Sequence, residues 1–166
     1  MNDLGFVNKV EASGIRSVDL LDYQPKDGSV GLDLKDFLYM GLIVREKEFK
    51  DALTQYPWES LKGKTVAIFC TEDAIIPSWV HMMIAERLTG VAECFSYTDA
   101  ASLDLQRWIS NIKQADFEDL KGKKVVVKAR PNIEPALFMA MTERLKPIVK
   151  TLLYGEVGMP KVIYKG

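Results

Sequence analysis

Hydrophobic and polar positions change their period several times along this chain, and each change marks an element. Val30, Leu32 and Leu34 alternate with Gly31 and Asp33, a period of two that leaves one face in water. Val18 and Leu20 in SVDLLDY (17–23) do the same. QPKDGS separates the two runs, with Pro25 suited to an early turn position and Gly28 to a positive φ. Residues 17–34 therefore predict an N-terminal antiparallel hairpin. KDFLYMGLI (35–43) predicts a short helix ended by Gly41, and Phe49, Leu53 and Tyr56 predict a helix over 45–56.

The second half changes character. TVAIFC (65–70) is continuously apolar, as a strand buried on both faces is. Ile76, Trp79, Val80, Met83, Ile84 and Leu88 trace one face of a helix over 76–88. AECFSY (92–97) is a weaker strand near a sheet edge, and Leu105, Trp108, Ile109 and Ile112 mark a helix over 102–113. KVVVKA (124–129) is a further strand, and Leu137, Met141 and Leu145 line a helix over 135–146. Pro147 lacks the N–H and clashes with the turn behind it, which predicts a kink or break, with 148–153 adding a turn or two of helix. Gly155 and Gly158 stop that helix, and KVIY (161–164) ends the chain as a short strand.

One phrase occurs twice. ESLKGKTV (59–66) and EDLKGKKV (118–125) agree at six of eight positions, and each leads into an apolar run, a polar loop, a proline and a helical pattern. Residues 59–90 and 118–147 thus read as a duplicated strand–loop–helix unit. Strands alternating with helices imply parallel pairing and right-handed crossovers. The predicted architecture is one α/β domain spanning 1–166, with a mixed, largely parallel sheet, helices on both faces and the hairpin in front. Residues 1–14 read as a loosely tied arm.

Composition narrows the function classes. The 166 residues carry 22 basic and 23 acidic side chains, for a net charge of −1. No block of like charge offers a footprint for nucleic acid or a membrane surface. REKEFK reads as a solvated helix face. No apolar stretch reaches the length of a membrane span, and MNDLGFV lacks the charged and apolar regions of a signal peptide. Cys70 and Cys94 sit in apolar or alternating runs and read as reduced thiols of a cytoplasmic protein.

In an open parallel sheet, ligands gather outside the carboxyl ends of the strands. Those ends are Thr71-Glu72-Asp73, Tyr97-Thr98-Asp99 and Arg130-Pro131-Asn132. Thr71, Glu72, Asp73, Arg130 and Asn132 are the candidate ligand-binding residues, an acidic loop and a cationic loop that both open helix N-termini suited to an anion. The structural alternative makes Asp73 and Asn132 helix caps and Glu72 and Arg130 a surface ion pair. Cys70, at a strand end, could be a nucleophile. His81, the one histidine, lies well along its helix, away from that strand end, so Cys70 reads as a core thiol. One histidine and two dispersed cysteines make no recognisable metal set. GxGxxG and GxxxxGK[ST] are both lacking, so no cofactor is expected.

DLKDFLYMGLIVREKEF (33–49), the PW pair at 57–58 and CTEDAIIPSW (70–79) resemble an uncharacterised bacterial domain-of-unknown-function family, DUF2480-like; VNKV (7–10) and LLYGE (152–156) fit the same pattern. The resemblance implies a small cytoplasmic protein and no particular activity. Cysteines often stand after the third strand and after the final helix in that family. ARPN (129–132) and VGMP (157–160) carry none here. A metal or thiol function at those positions is therefore not expected of this chain.

Two functional readings follow. The first is a non-catalytic binding or interaction module that forms a homodimer through the apolar run at 37–44 and Met82. The second is an enzyme or binder of a small anionic metabolite at loops 71–73 and 130–132, with Asp73 or Glu72 as acid or base and Arg130 as the anion's partner.

Overall fold

LKGK, the core of the repeated phrase, forms the same turn twice. Lys62 and Lys121 both adopt φ −56 and ψ 125, and Gly63 and Gly122 follow at φ 69 and φ 70. The turns close by Lys64 N–H donating to Leu61 at 3.1 Å and Lys123 N–H donating to Leu120 at 3.0 Å. This is a type II turn, whose third residue must take a positive φ, and glycine does so without steric cost. Each glycine N–H then reaches a carbonyl of the segment after the next helix, Gly63 to Val91 and Gly122 to Ile148, both at 2.9 Å.

The computed structural model describes residues 14–156 and 158–166. The expected N-terminal arm, with VNKV, lies outside the described residues apart from Gly14. The chain divides into two compact units, one formed by Lys26–Leu105 and the other by the residues up to Pro25 together with Gln106–Gly166.

The first of these units holds strands β2 (Val30–Asp33), β3 (Thr65–Phe69) and β4 (Cys94–Tyr97) in the order β2-β3-β4, all parallel. Helix α1 (Glu46–Gln55) precedes β3, and α2 (Ser78–Leu88) joins β3 to β4. The apolar periods explain the packing. Phe49 and Leu53 of α1, Val80, Ile84 and Leu88 of α2, and Val66 and Ile68 of β3 are buried in one cluster with Leu32, Leu34 and Phe37. Burial of each large apolar side chain stabilises by about 1.5–3 kcal/mol.

The second unit holds β1 (Ile15–Val18), β5 (Lys124–Lys128), β6 (Thr151–Gly155) and β7 (Lys161–Lys165) in the order β1-β5-β6-β7. β1, β5 and β6 are parallel, and β7 runs antiparallel to β6. Helix α4 (Pro135–Leu145) joins β5 to β6 and buries Leu137, Ala140, Met141 and Leu145. The boundary between the units falls inside helix α3 (Ala100–Gln114), after Leu105.

The α/β class with mostly parallel strands is as the pattern predicted, but several local expectations change. The strands come as two sheets, not one. The expected hairpin at 17–34 is not formed: β1 pairs with β5 and β2 with β3, both in parallel. Alternation reports which face is wet and says nothing of the neighbour. The short helix at 35–43 is a single 3-10 turn, Leu34–Phe37, followed by a tight turn closed by a bridge between Tyr39 and Ile43. Beyond Pro147 the chain returns as strand β6, not as helix. α4 does end before that proline, as the missing N–H requires.

Candidate functional site

A second repeat, fourteen residues apart, governs the strand ends. Val18-Asp19-Leu20 and Leu32-Asp33-Leu34 close β1 and β2. Each aspartate caps the 3-10 turn that follows, Asp19 accepting from Leu21 N–H at 3.1 Å and Asp33 from Lys35 N–H at 3.0 Å. Each also accepts from the second residue beyond its neighbouring strand, Thr71 after β3 or Arg130 after β5. Thr71 and Arg130 hold the same place in the two copies of the LKGK phrase. The carboxyl ends of the parallel strands are thus anchored by one device with two chemistries.

In the unit of residues 26–105, Thr71 Oγ1 donates to Asp33 Oδ2 at 2.6 Å and Thr71 N–H to Oδ1 at 3.2 Å. Burial pushes the Asp33 carboxyl up, but the Thr71 hydroxyl and the N–H groups of Lys35 and Thr71 outweigh it, and the net direction is down. Glu72 pairs with Lys35, Nζ to Oε1 at 2.7 Å, and that bond holds the lysine above its ordinary value. At the end of β4, Asp99 caps α3, accepting from Ser102 N–H at 2.8 Å and Ser102 Oγ at 2.7 Å.

In the other unit, Arg130 donates to Asp19 from Nε, 3.3 and 3.2 Å from the two oxygens, and from Nη2. Lys128 Nζ stands 3.7 Å from Asp19 Oδ2. The carboxylate is buried, at 9% side-chain exposure, while Arg130 keeps 39%. The Arg130 hydrogen bond is the largest influence on Asp19 and holds its carboxyl below the usual range, against burial. Trp108 Nε1 donates to Leu20 carbonyl at 2.9 Å and Asn111 Nδ2 to Tyr23 carbonyl at 2.9 Å, so α3 fixes the turn that carries Asp19.

The expected site residues therefore fall into two groups. Thr71 and Glu72 join Asp33 and Lys35, and Arg130 joins Asp19. Asp73 and Asn132 do not cap the helices that follow: the N-cap positions are Pro77 and Glu134, and neither helix has a side-chain cap. Asn132 instead takes a left-handed φ of 58, a conformation asparagine tolerates. Glu72 and Arg130 each have a partner within their own unit, Lys35 and Asp19. Cys70 and Cys94 are free thiols, both half-buried. His81 packs edge-on against Tyr97 at 4.8 Å between ring centres. Among the described residues no group of three or more His, Cys, Asp and Glu is placed to hold a metal ion. Among the described residues no helix is long and apolar enough to cross a membrane.

Sequence reasoning overlooked Asp19, Asp33, Lys35 and Lys128. The signal was present: VDLLDY and LDLKDF share an aspartate between two aliphatic residues, then an aspartate and an aromatic ring.

Apolar side chains are exposed in several places. Tyr39, Met40, Leu42 and Ile43 project from the turn after Phe37, with Met40 at 80% exposure. Arg45 lies over the Tyr39 ring at 3.5 Å. Met82 is also exposed and lines an open groove of about 640 Å³ between α1 and α2, with Leu53, Trp79 and Met83 at its base and Lys50 and Glu86 at its rim. Val162 and Ile163 of β7 are exposed, as is Met159 just before it.

No curated protein and no solved structure matches the chain. A family model does match, over residues 5–166, and by that match the chain belongs to the family described as protein of unknown function, DUF2480.

Proposed function

We propose that this chain is a non-catalytic binding module that associates with a second copy of itself through the apolar turn Tyr39–Ile43. The exposure of Met40, Leu42 and Ile43 on a strained turn carries the reading. Met40 takes φ 52, a conformation that costs a non-glycine residue about 1–2 kcal/mol. A fold under no other demand gains nothing by spending that strain to hold a methionine in water. Strained, exposed positions of this kind cluster at functional surfaces. Symmetric dimers are the commonest oligomers, and their interfaces are self-complementary patches. The strand-end polar groups support a structural role, because Asp33 engages Thr71, Lys35 engages Glu72, and Asp19 engages Arg130, each within its own unit. The two free thiols accord with a reducing bacterial cytoplasm.

Sedimentation velocity over a range of protein concentrations tests the reading. The parent chain should associate with rising concentration, and the double variant Met40→Asp, Ile43→Asp should remain monomeric. A parent chain that stays monomeric at high micromolar concentration overturns it.

The second reading is a small anionic metabolite held at a strand carboxyl end, at loop 71–73 or at loop 130–132. One observation favours it. The Arg130 guanidinium stays 39% exposed just beyond the carboxyl end of β5, and Lys128 stands beside the same Asp19 carboxylate. Ligand that binds only the folded state raises the melting temperature. A screen of anionic metabolites against the parent chain and Arg130→Lys would show a shift that the lysine variant reduces. A shift that survives Arg130→Lys and Lys128→Ala places the anion elsewhere.

A further inference from the structure

β7 ends its sheet. Among the described strands it pairs only with β6, so its outer N–H and C=O groups face away from the sheet. Such an edge is a template for another strand, and proteins usually blunt it with charge or a bulge. Both devices are present. Lys161 and Lys165 stand at the two ends of the strand. Leu152 pairs with Tyr164 and Leu153 with Val162, which leaves Ile163 as an extra residue in the ladder.

The centre of the strand contradicts a purely defensive role. Val162 and Ile163 are consecutive and exposed, at 60% and 49%. Ile163 also lines a cleft of about 230 Å³ with Val127 of β5, Tyr154 of β6, and Phe138 and Thr142 of α4. Phe138 and Tyr154 meet edge-on at 5.7 Å between ring centres and form one wall of it. The cleft is predominantly apolar and takes a single side chain, being smaller than the usual small-molecule pocket of roughly 300–1,000 Å³.

We infer that β7 is a docking edge for an extended peptide segment of a partner protein, apolar at its centre and acidic at both ends. The segment adds as a strand beside β7, places one apolar side chain in the Phe138–Ile163 cleft and sets a carboxylate against each of Lys161 and Lys165. In strand addition the main chain supplies affinity, and alternate side-chain pockets with flanking charges supply specificity. The lysines select the occupant. Antiparallel pairing of two β7 strands would set Lys161 of one against Lys165 of the other, and like charges directly opposite are destabilising. They therefore disfavour a second copy's β7 and favour an acid-flanked strand. β7 and the turn at Tyr39–Ile43 belong to different units.

Fluorescence anisotropy with the full chain tests the inference. The probe is a labelled peptide of alternating valine and leucine closed at each end by glutamate, and the control peptide has lysine in place of glutamate. The acidic peptide should bind saturably, about tenfold more tightly than the basic one. The double variant Lys161→Glu, Lys165→Glu, changed only at exposed positions, should reverse that preference. Hydrogen exchange at residues 161–165 should slow when the acidic peptide is bound. Equal binding of the two peptides, no saturable binding, or a variant that keeps the parent's preference overturns the assignment. Peptide binding that vanishes as the chain self-associates gives the edge to a second copy and overturns it equally.

Discussion

Arg130 lies side-on to Asp19, with Nε 3.3 and 3.2 Å from the two carboxylate oxygens and Nη2 closing a further bond. Asp19 is otherwise buried, so the guanidinium offsets the cost of taking that charge out of water. Replacing Arg130 by Ala leaves the carboxylate with Leu21 N–H and with Lys128 at 3.7 Å. The expected loss near neutral pH is about 2 kcal/mol, the scale of a hydrogen bond to a charged group. Urea denaturation of Arg130→Ala against the parent chain measures it, and a neutral result would remove the pair from the account of stability.

The same pair predicts a pH dependence. The folded-state carboxyl of Asp19 is held below its ordinary value, chiefly by the Arg130 hydrogen bond. A depressed carboxyl contributes stability above its unfolded value, roughly pH 4. That contribution is lost as pH falls through the lower folded value. The gap between the parent chain and Arg130→Ala should therefore be full near neutrality and narrow steadily below about pH 4. A gap that stays constant into acid would show that Arg130 acts through packing of its stem and not through charge.

Thr71 plays the matching part for Asp33 with a neutral donor on a more exposed site. Thr71→Val keeps the shape and the N–H bond at 3.2 Å but deletes the hydroxyl. The expected cost is about 1 kcal/mol or less, below that of Arg130→Ala, with Thr71→Ser close to the parent. Melting temperatures of the three variants order the two anchors, and Thr71→Val costing more than Arg130→Ala would refute the ranking.

Gly63 and Gly122 allow a cleaner test, because a Cβ built at either position meets nothing within 4 Å. Any loss from Gly→Ala there is backbone strain alone. At φ 69 and φ 70 each substitution should cost roughly 1–2 kcal/mol, and the two should add, since they lie in separate turns. Denaturant midpoints of the single and double variants decide. Tolerance of alanine at both sites would mean the turns can relax to another type.

These particulars show what the sequence could carry. The LKGK phrase was legible because a type II turn needs glycine at one place, so its chemistry survives in a short string. The buried strands at 65–70 and 124–129 were legible as apolar runs too short for helices. Pairing was not, because Val30 and Leu32 alternate alike beside β1 or β3. The helix expected over 148–153 is strand from Thr151 onward, because a short apolar run carries no period that separates helix from strand. The site was half legible. Thr71 and Arg130 stood out at strand ends, but their partners Asp19 and Asp33 were hidden in a repeat whose spacing matches no motif.

Met40 separates fold from function. Its φ of 52 at 80% exposure is strain without local return, since its neighbours in the turn are exposed as well. Asparagine tolerates that conformation far better, and Met40→Asn should stabilise the isolated chain by about 0.5–1 kcal/mol. The same change removes an apolar group from the proposed dimer surface and should weaken self-association. Stability measured by urea at low protein concentration and association measured by sedimentation should move in opposite directions. A residue that served only the fold would move both together or leave association untouched, and either result would withdraw the turn from the interface.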